Sequence, residues 1–126
     1  MKRLILDTSE KFKNLTPEEK KKICNGVGAG YFPKWLTKAL NSRWFCYGIS
    51  LRECANPHDC DYYFGKTEQD KKIADKRFGA NMLKTIQYHS WLYKINPLYY
   101  LRRKRTLECY LAVKYGGDDA FWFGKK

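Results

Sequence analysis

Helix-starting signals recur along this chain, and they constrain its fold more than any other feature. Thr16 and Glu19 enclose a capping box with proline at the first helical position, and Thr67 is placed to cap another helix. Strand patterns are weak throughout. The predicted helices span 17–24, 51–64, 68–92 and 99–115. We therefore expect a mainly α fold, and 126 residues with 44% hydrophobic side chains suffice for a single domain, 1–126.

The segment 51–64 admits two interpretations because of Pro57. Ser50 and Glu53 form a capping-box pattern that predicts one helix, which the proline would kink. Alternatively, Asn56 and Pro57 begin a shorter helix. Elsewhere, we expect an extended lead-in over 1–15, an irregular aromatic stretch over 31–49, and a C-terminal tail that packs back on the body.

Two of the predicted helices carry one polar residue each on an otherwise apolar stripe. Because an α-helix turns about 100° per residue, His58 and Tyr62 share the stripe of one helix. Asp75 shares the stripe of the next helix with Phe78 and Met82. The neighbouring lysines are expected to point away from this stripe; they are Lys71, Lys72, Lys76 and Lys84.

Asp75 needs a partner, since a buried unpaired carboxylate costs several kcal/mol. The short link "GKT" is expected to lay the two helices antiparallel, which makes His58 the natural partner of Asp75. Tyr62, one turn beyond the histidine, can hydrogen-bond the same carboxylate. The pair is then either a base whose imidazole Asp75 orients, or two buried polar groups that satisfy each other.

A glycine run, "NGVGAG", places Gly26, Gly28 and Gly30 at alternate positions. Glycine allows backbone conformations that aim successive carbonyls inward, and calcium accepts carbonyl and carboxylate oxygens as ligands. Asp59, rotated off the stripe of His58, is the candidate carboxylate. The alternative is an ordinary glycine-rich turn after a short helix.

The chain is strongly basic, with a formal net charge of +12. Such a charge attracts polyanions, either nucleic acid or an anionic lipid surface. A basic cluster follows two tyrosines and consists of Arg102, Arg103, Lys104 and Arg105. It suits a lipid headgroup interface, a nucleic-acid backbone or simply a solvated helix start. No apolar run approaches the roughly 20 residues of a transmembrane helix, so we expect peripheral membrane contact at most.

The first apolar stretch is too short for a secretory signal, so we expect a cytoplasmic protein, one released by a route that the sequence does not show, or a chain numbered from a processed start. The five cysteines are an odd number, which argues against a complete disulfide framework. Cys54, His58 and Cys60 match no common zinc spacing.

These parts together resemble the phospholipase A2 superfamily, including small phage and bacterial members. The similar elements are the glycine loop "NGVGAG", the His-Asp-x-x-Tyr signature "HDCDY" at 58–62, and "ADKRF" at 74–78. The last of these resembles the Ala-Asp-x-x-Phe stretch of the phospholipase domain in parvovirus minor capsid proteins. The resemblance covers residues 24–83.

The resemblance implies a calcium-dependent hydrolase that cleaves the sn-2 ester of phospholipids at a membrane surface. His58 would activate water, Asp75 would orient the imidazole, and Asp59 with the carbonyls of the glycine loop would bind calcium. It also implies that Cys24 and Cys54 could form a bridge, with two free buried thiols as the alternative. The stretch from the glycine loop to His58 is longer than usual in this family.

Two other functions stay open. The chain could be a catalytically inactive phage or bacterial structural protein that keeps this helical core. It could also be a basic nucleic-acid-binding module, although the sequence contains no recognised binding motif of that kind.

Overall fold

The computed structural model describes residues 4–24, 34–42, 44–90 and 92–122. Helices dominate these ranges and no strand occurs within them, which confirms the prediction of a mainly α fold. The helices are α1 (Glu10–Lys13), α2 (Pro17–Cys24), α3 (Lys34–Leu40), α4 (Arg52–Phe64), α5 (Glu68–His89), α6 (Pro97–Gly116) and α7 (Asp118–Trp122).

Local side-chain caps explain where three of these helices begin. Thr16 Oγ1 accepts a hydrogen bond from the Glu19 amide, and Glu19 accepts one from the Thr16 amide. Thr67 and Asp70 form the same reciprocal capping box at the start of α5. Asn96 accepts from the Leu98 amide, directly before the proline that opens α6. Each cap satisfies amide groups that the first helical turn leaves without a partner.

Several predicted boundaries are wrong. The expected lead-in contains α1, the expected irregular stretch contains α3, and the third long helix ends at His89 rather than at residue 92. The capping box predicted for α4 does not form. Leu51 is the N-cap without a side-chain hydrogen bond, and Ser50 accepts from the Arg52 amide at 3.3 Å instead.

Pro57 lies inside α4, which is continuous from Arg52 to Phe64. The first of the two interpretations therefore holds, and His58 and Tyr62 lie on the same face of one helix. Pro57 is buried. The missing proline N–H removes one hydrogen bond of the helix, so packing against neighbouring elements has to compensate for that loss.

Helix α5 lies between α4 and α6 and runs antiparallel to both. Contacts between α4 and α5 join Asp61 to Arg77 and Cys54 to Thr85. Residue numbers thus increase along α5 in the direction in which they decrease along α4. The same order holds between α5 and α6, where Lys71 contacts the Val113 carbonyl and Gln87 contacts Tyr99. Short connections of this kind favour antiparallel neighbours.

The main hydrophobic core fills the space between these helices and the loop before α4. It contains Leu36, Cys46, Ile49, Leu51, Cys54, Phe78, Met82, Ile86, Tyr99, Cys109 and Val113. A second cluster holds Tyr62 and Ala74 against Ala120 and Phe121 of α7. The prediction that the aromatic tail packs back on the body is therefore confirmed for α7.

Within the described ranges, no helix combines the length and the apolar character that crossing a membrane requires.

Candidate functional site

Three side chains converge on the buried carboxylate of Asp75. His58 Nε2 lies 2.9 Å from Asp75 Oδ1, and the Tyr62 hydroxyl donates to the same oxygen at 2.7 Å. The Lys71 ammonium donates to the other oxygen, Oδ2, at 2.9 Å. Because His58 and Asp75 are only 4% and 3% exposed, this network lies almost entirely out of water.

Lys71 is the main residue that the sequence interpretation misplaced. It was expected to point away from the stripe of Asp75, but it is only 7% exposed. Its ammonium also donates to the backbone carbonyls of Val113 and Lys114, at 3.1 and 3.2 Å, and lies 3.6 Å from Asp118. Carbonyls at the end of a helix favour a cation, which explains how a lysine can be buried here.

The network keeps the Asp75 carboxylate ionised. Burial alone would raise the pKa of this carboxyl, but the hydrogen bonds from His58, Lys71 and Tyr62 outweigh burial and hold its pKa below the ordinary range. Burial and the adjacent negative charge of Asp75 raise the pKa of the Tyr62 hydroxyl, so Tyr62 stays a neutral donor.

The His58 ring is held between two aromatic side chains. Its centroid lies 4.1 Å from that of Tyr62 and 4.6 Å from that of Phe78. In the neutral ring, an Nε2–H that donates to Asp75 leaves the acceptor lone pair on Nδ1. The contact with Asp75 thus orients the ring, and in the tautomer protonated at Nε2 it is Nδ1 that can accept a proton.

Helix α7 closes over this network through Gly117, which the sequence marks as a helix end but not as a point of close packing. A methyl group on Gly117 would lie 2.5 Å from the Val113 carbonyl oxygen and 2.6 Å from the Tyr62 hydroxyl oxygen. Phe121 then packs edge-on against the Tyr62 ring at 5.2 Å. The absence of a side chain at position 117 is what lets α7 approach Tyr62.

We therefore expect Gly117→Ala to destabilise the fold by about 1–3 kcal/mol, since the added methyl must displace either backbone or Tyr62. The adjacent Gly116 is a matched control, because a methyl group there would meet no atom within 4 Å. Gly116→Ala should leave stability unchanged or slightly higher. Urea unfolding of both variants measures the difference. Equal effects at the two positions would contradict the close packing of α7.

Asp59 is half-buried and has no ion-pair partner among the described residues. Burial raises the pKa of its carboxyl to about 7. The ordinary pKa of an aspartate carboxyl is about 4. Between about pH 4 and pH 7 the Asp59 carboxyl is therefore protonated in the folded protein but ionised in the unfolded chain, so the stability of the fold decreases as the pH rises through this range. A bound cation would offset this loss.

Gly26, Gly28 and Gly30, the other predicted metal-binding residues, lie outside the described residues. Within the ranges that the structure describes, no group of three or more histidine, cysteine, aspartate or glutamate side chains is arranged to hold a metal. A metal at Asp59 would thus have a single acidic ligand from the described residues, and its further ligands would have to be other oxygens, such as backbone carbonyls and water.

The cysteines of the described ranges are free thiols. Cys24 donates to the Asn56 carbonyl at 3.6 Å, whereas Cys54 contacts the Thr85 hydroxyl at 3.3 Å. These two thiols therefore have separate partners, one in α4 and one in α5, and the bridge that the resemblance implied does not form in this structure. Burial raises the pKa of each thiol to about 11.

The predicted basic surface divides into two parts. Arg103 and Lys104 are exposed. Arg102 is half-buried, and its guanidinium donates to the Tyr47 carbonyl and the Ser90 hydroxyl. Arg105 lies over the Phe45 ring with its guanidinium carbon 5.0 Å from the centroid. Arg102 and Arg105 thus fasten the loop before α4 to α6 and leave two of the four cations for a partner.

Comparisons of the chain with protein-family models, with curated proteins and with solved structures find no match, so its function is inferred from its own side chains.

Proposed function

We propose that this protein is a phospholipase A2-like hydrolase that cleaves the sn-2 ester of phospholipids at an anionic membrane surface. The observation that supports this function best is the 2.9 Å contact between His58 and Asp75, with Tyr62 on the same carboxylate oxygen. These three residues lie on α4 and α5 in the spacing that resembles the family signature.

In this reaction His58 acts as general base. Its Nε2–H is held by Asp75, and Nδ1 takes a proton from the water that attacks the ester carbonyl. The Asp75 carboxylate stays ionised, because its pKa is lowered, and it stabilises the positive charge that develops on the ring. The proton then passes to the leaving alcohol, which gives a free fatty acid and a lysophospholipid.

Calcium is the cofactor that the resemblance implies, and the character of Asp59 fits it. A half-buried carboxylate with a pKa near 7 and no cation beside it in the described ranges gains from a divalent ion. Asp59 would hold the ion together with carbonyls of the loop that contains Gly26, Gly28 and Gly30. Bound calcium would supply Lewis-acid stabilisation of the oxyanion.

The proposed site of action is a lipid surface because the whole chain carries a charge of +12. Arg103 and Lys104 are exposed in the first half of α6, one turn after the exposed side chains of Tyr100 and Leu101. Basic and aromatic side chains in this combination suit the headgroup region of an anionic bilayer.

The purified chain is expected to release fatty acid from vesicles of anionic phospholipid at millimolar calcium, and a chelator should abolish the release. Calcium should also raise the melting temperature at pH 8, where Asp59 is ionised in the absence of the ion. In Asp59→Asn both effects should disappear. Asp119→Asn is the matched control, since that carboxylate is exposed on α7. Folded protein with no calcium-dependent release would contradict the enzymatic function.

The contact of Lys71 with Asp75 favours a second candidate function. A buried carboxylate that already has an ammonium, an imidazole and a hydroxyl as partners is fully satisfied without substrate. The same network would then only stabilise the helical core of a catalytically inactive structural protein, such as a phage or bacterial component. This candidate predicts full stability without calcium and no ester hydrolysis under any condition.

A further inference from the structure

A groove of about 610 Å³ lies between α5 and α6. Lys76 and Tyr110 line this groove and also the neighbouring cleft that Lys71 and Asp75 line. Its floor and walls are largely apolar and are formed by Gly79, Ala80, Leu83, Leu107 and Tyr110. This volume falls within the range of roughly 300–1,000 Å³ that is typical of small-ligand sites.

Gly79 shapes the floor of this groove. A methyl group at this position would lie 2.9 Å from Cδ1 of the Tyr110 ring, so glycine lets the ring lie directly on the backbone of α5. Leu107, one turn before Tyr110 on α6, is about half exposed and forms part of the opposite wall. The apolar floor is therefore continuous from one helix to the other.

Three cations line the same groove, namely Lys76 on α5 and Arg103 and Lys104 on α6. Among the described residues that line it, none carries a carboxylate. Thr106 and Tyr100 contribute hydroxyl groups, whose protons are donated to the carbonyls of Arg103 and Lys94. The groove thus combines an apolar floor with an uncompensated positive rim.

We propose that this groove binds a single-chain anionic lipid, with the hydrocarbon chain along the floor and the carboxylate or phosphate against the cations. A small anion would leave the apolar floor exposed to water, and an uncharged hydrocarbon would leave the cations without a partner. Only a ligand that carries both groups matches both surfaces. This binding goes beyond the proposed hydrolysis and requires neither His58 nor calcium.

Sodium dodecanoate below its micellar concentration is a suitable probe, with binding measured by isothermal titration calorimetry on the full chain. We expect one saturable site. Acetate has the same headgroup without the chain, and dodecyl maltoside has the same chain without the charge. Both should bind at least tenfold more weakly than dodecanoate. Dodecyl phosphate should also bind, which separates a general anionic headgroup from a specific carboxylate.

Two variants test the two surfaces of the groove. Arg103→Glu with Lys104→Glu should weaken dodecanoate binding by about tenfold or more, through loss of two attractions and gain of two repulsions. Lys21→Glu with Lys22→Glu changes the net charge equally on exposed positions of α2 and should have no effect. Ala80→Trp should fill the exposed end of the floor and lower the affinity.

Dodecanoate binding by His58→Gln should equal that of the original chain, so failure of the hydrolytic function and failure of this site are distinguishable. Acetate as tight as dodecanoate would overturn the proposal in favour of a simple anion site. Equal binding of dodecyl maltoside, with no effect of charge reversal, would indicate a general apolar patch. Binding of an acidic amphipathic peptide but not of dodecanoate would mean that the groove docks a protein.

Discussion

Replacing His58 with glutamine is expected to slow phospholipid hydrolysis by about 10²–10⁴-fold, the range typical for loss of a general base. Glutamine keeps an N–H donor that can reach Asp75 Oδ1, so the buried carboxylate retains a partner. It provides no group that can take a proton from water near pH 7. Initial rates of fatty-acid release from vesicles, with unfolding midpoints measured on the same samples, separate lost chemistry from lost structure.

His89 is the matched control for this experiment, because the chain contains only two histidines. His89 lies exposed at the end of α5, where its ring contacts Tyr88 edge-on. His89→Gln should hydrolyse at the original rate. If His58→Gln retained full activity that a chelator still abolished, calcium-dependent hydrolysis would exist but His58 would not be its base.

Replacing Asp75 with leucine is expected to destabilise the fold by about 3–5 kcal/mol, the largest effect on stability predicted for this chain. The substitution removes the buried anion that pairs with Lys71 and leaves that ammonium with two backbone carbonyls and the exposed carboxylate of Asp118, 3.6 Å away. It also removes the shared acceptor of His58 and Tyr62. Urea denaturation at pH 7 measures the change.

The double variant Asp75→Leu, Lys71→Met isolates the contribution of the charge pair. Its loss of stability should be well below the sum of the two single losses, because no buried charge is then left unpaired. A double-mutant cycle gives the coupling between Lys71 and Asp75. Additive losses would show that the two groups do not interact in the folded protein, and would contradict their 2.9 Å contact.

The sequence was most informative where structure is decided locally. The reciprocal hydrogen bonds of Thr16 with Glu19 depend on four consecutive residues, and the N-cap at Thr67 likewise depends on the residues beside it. Period-3.6 patterning also placed His58 and Asp75 on facing stripes, because each lies among apolar residues. Both kinds of inference use only the geometry of a single helix.

The sequence did contain a signal for the buried position of Lys71. This lysine lies four residues before Asp75, and the set 71, 75, 78 and 82 follows one face of α5. The prediction of an exposed Lys71 depends instead on the general preference of lysine for solvent. Its carbonyl partners on α6 lie more than 40 residues away in the sequence, and the local pattern does not predict them.

Other differences depend on contacts that no local rule describes. The close approach at Gly117 requires the position of Tyr62, 55 places earlier in the chain. The run of cations predicts a surface position for Arg102, yet its guanidinium partners are Tyr47 in the loop before α4 and Ser90 at the end of α5. Helix α3 begins after a proline in an aromatic stretch, where core packing outweighs a weak helical pattern.

The late position of α7 in the chain has a consequence for folding on the ribosome. The carbonyls that accept from Lys71 and the Phe121 ring that packs on Tyr62 lie within residues 113–121, after α5 in the chain. In a nascent chain that ends after α5, Lys71 and Asp75 are therefore still without the contacts that α6 and α7 provide. Because domains form as units once their non-local contacts are available, native structure around Asp75 has to wait until α6 and α7 have been synthesised.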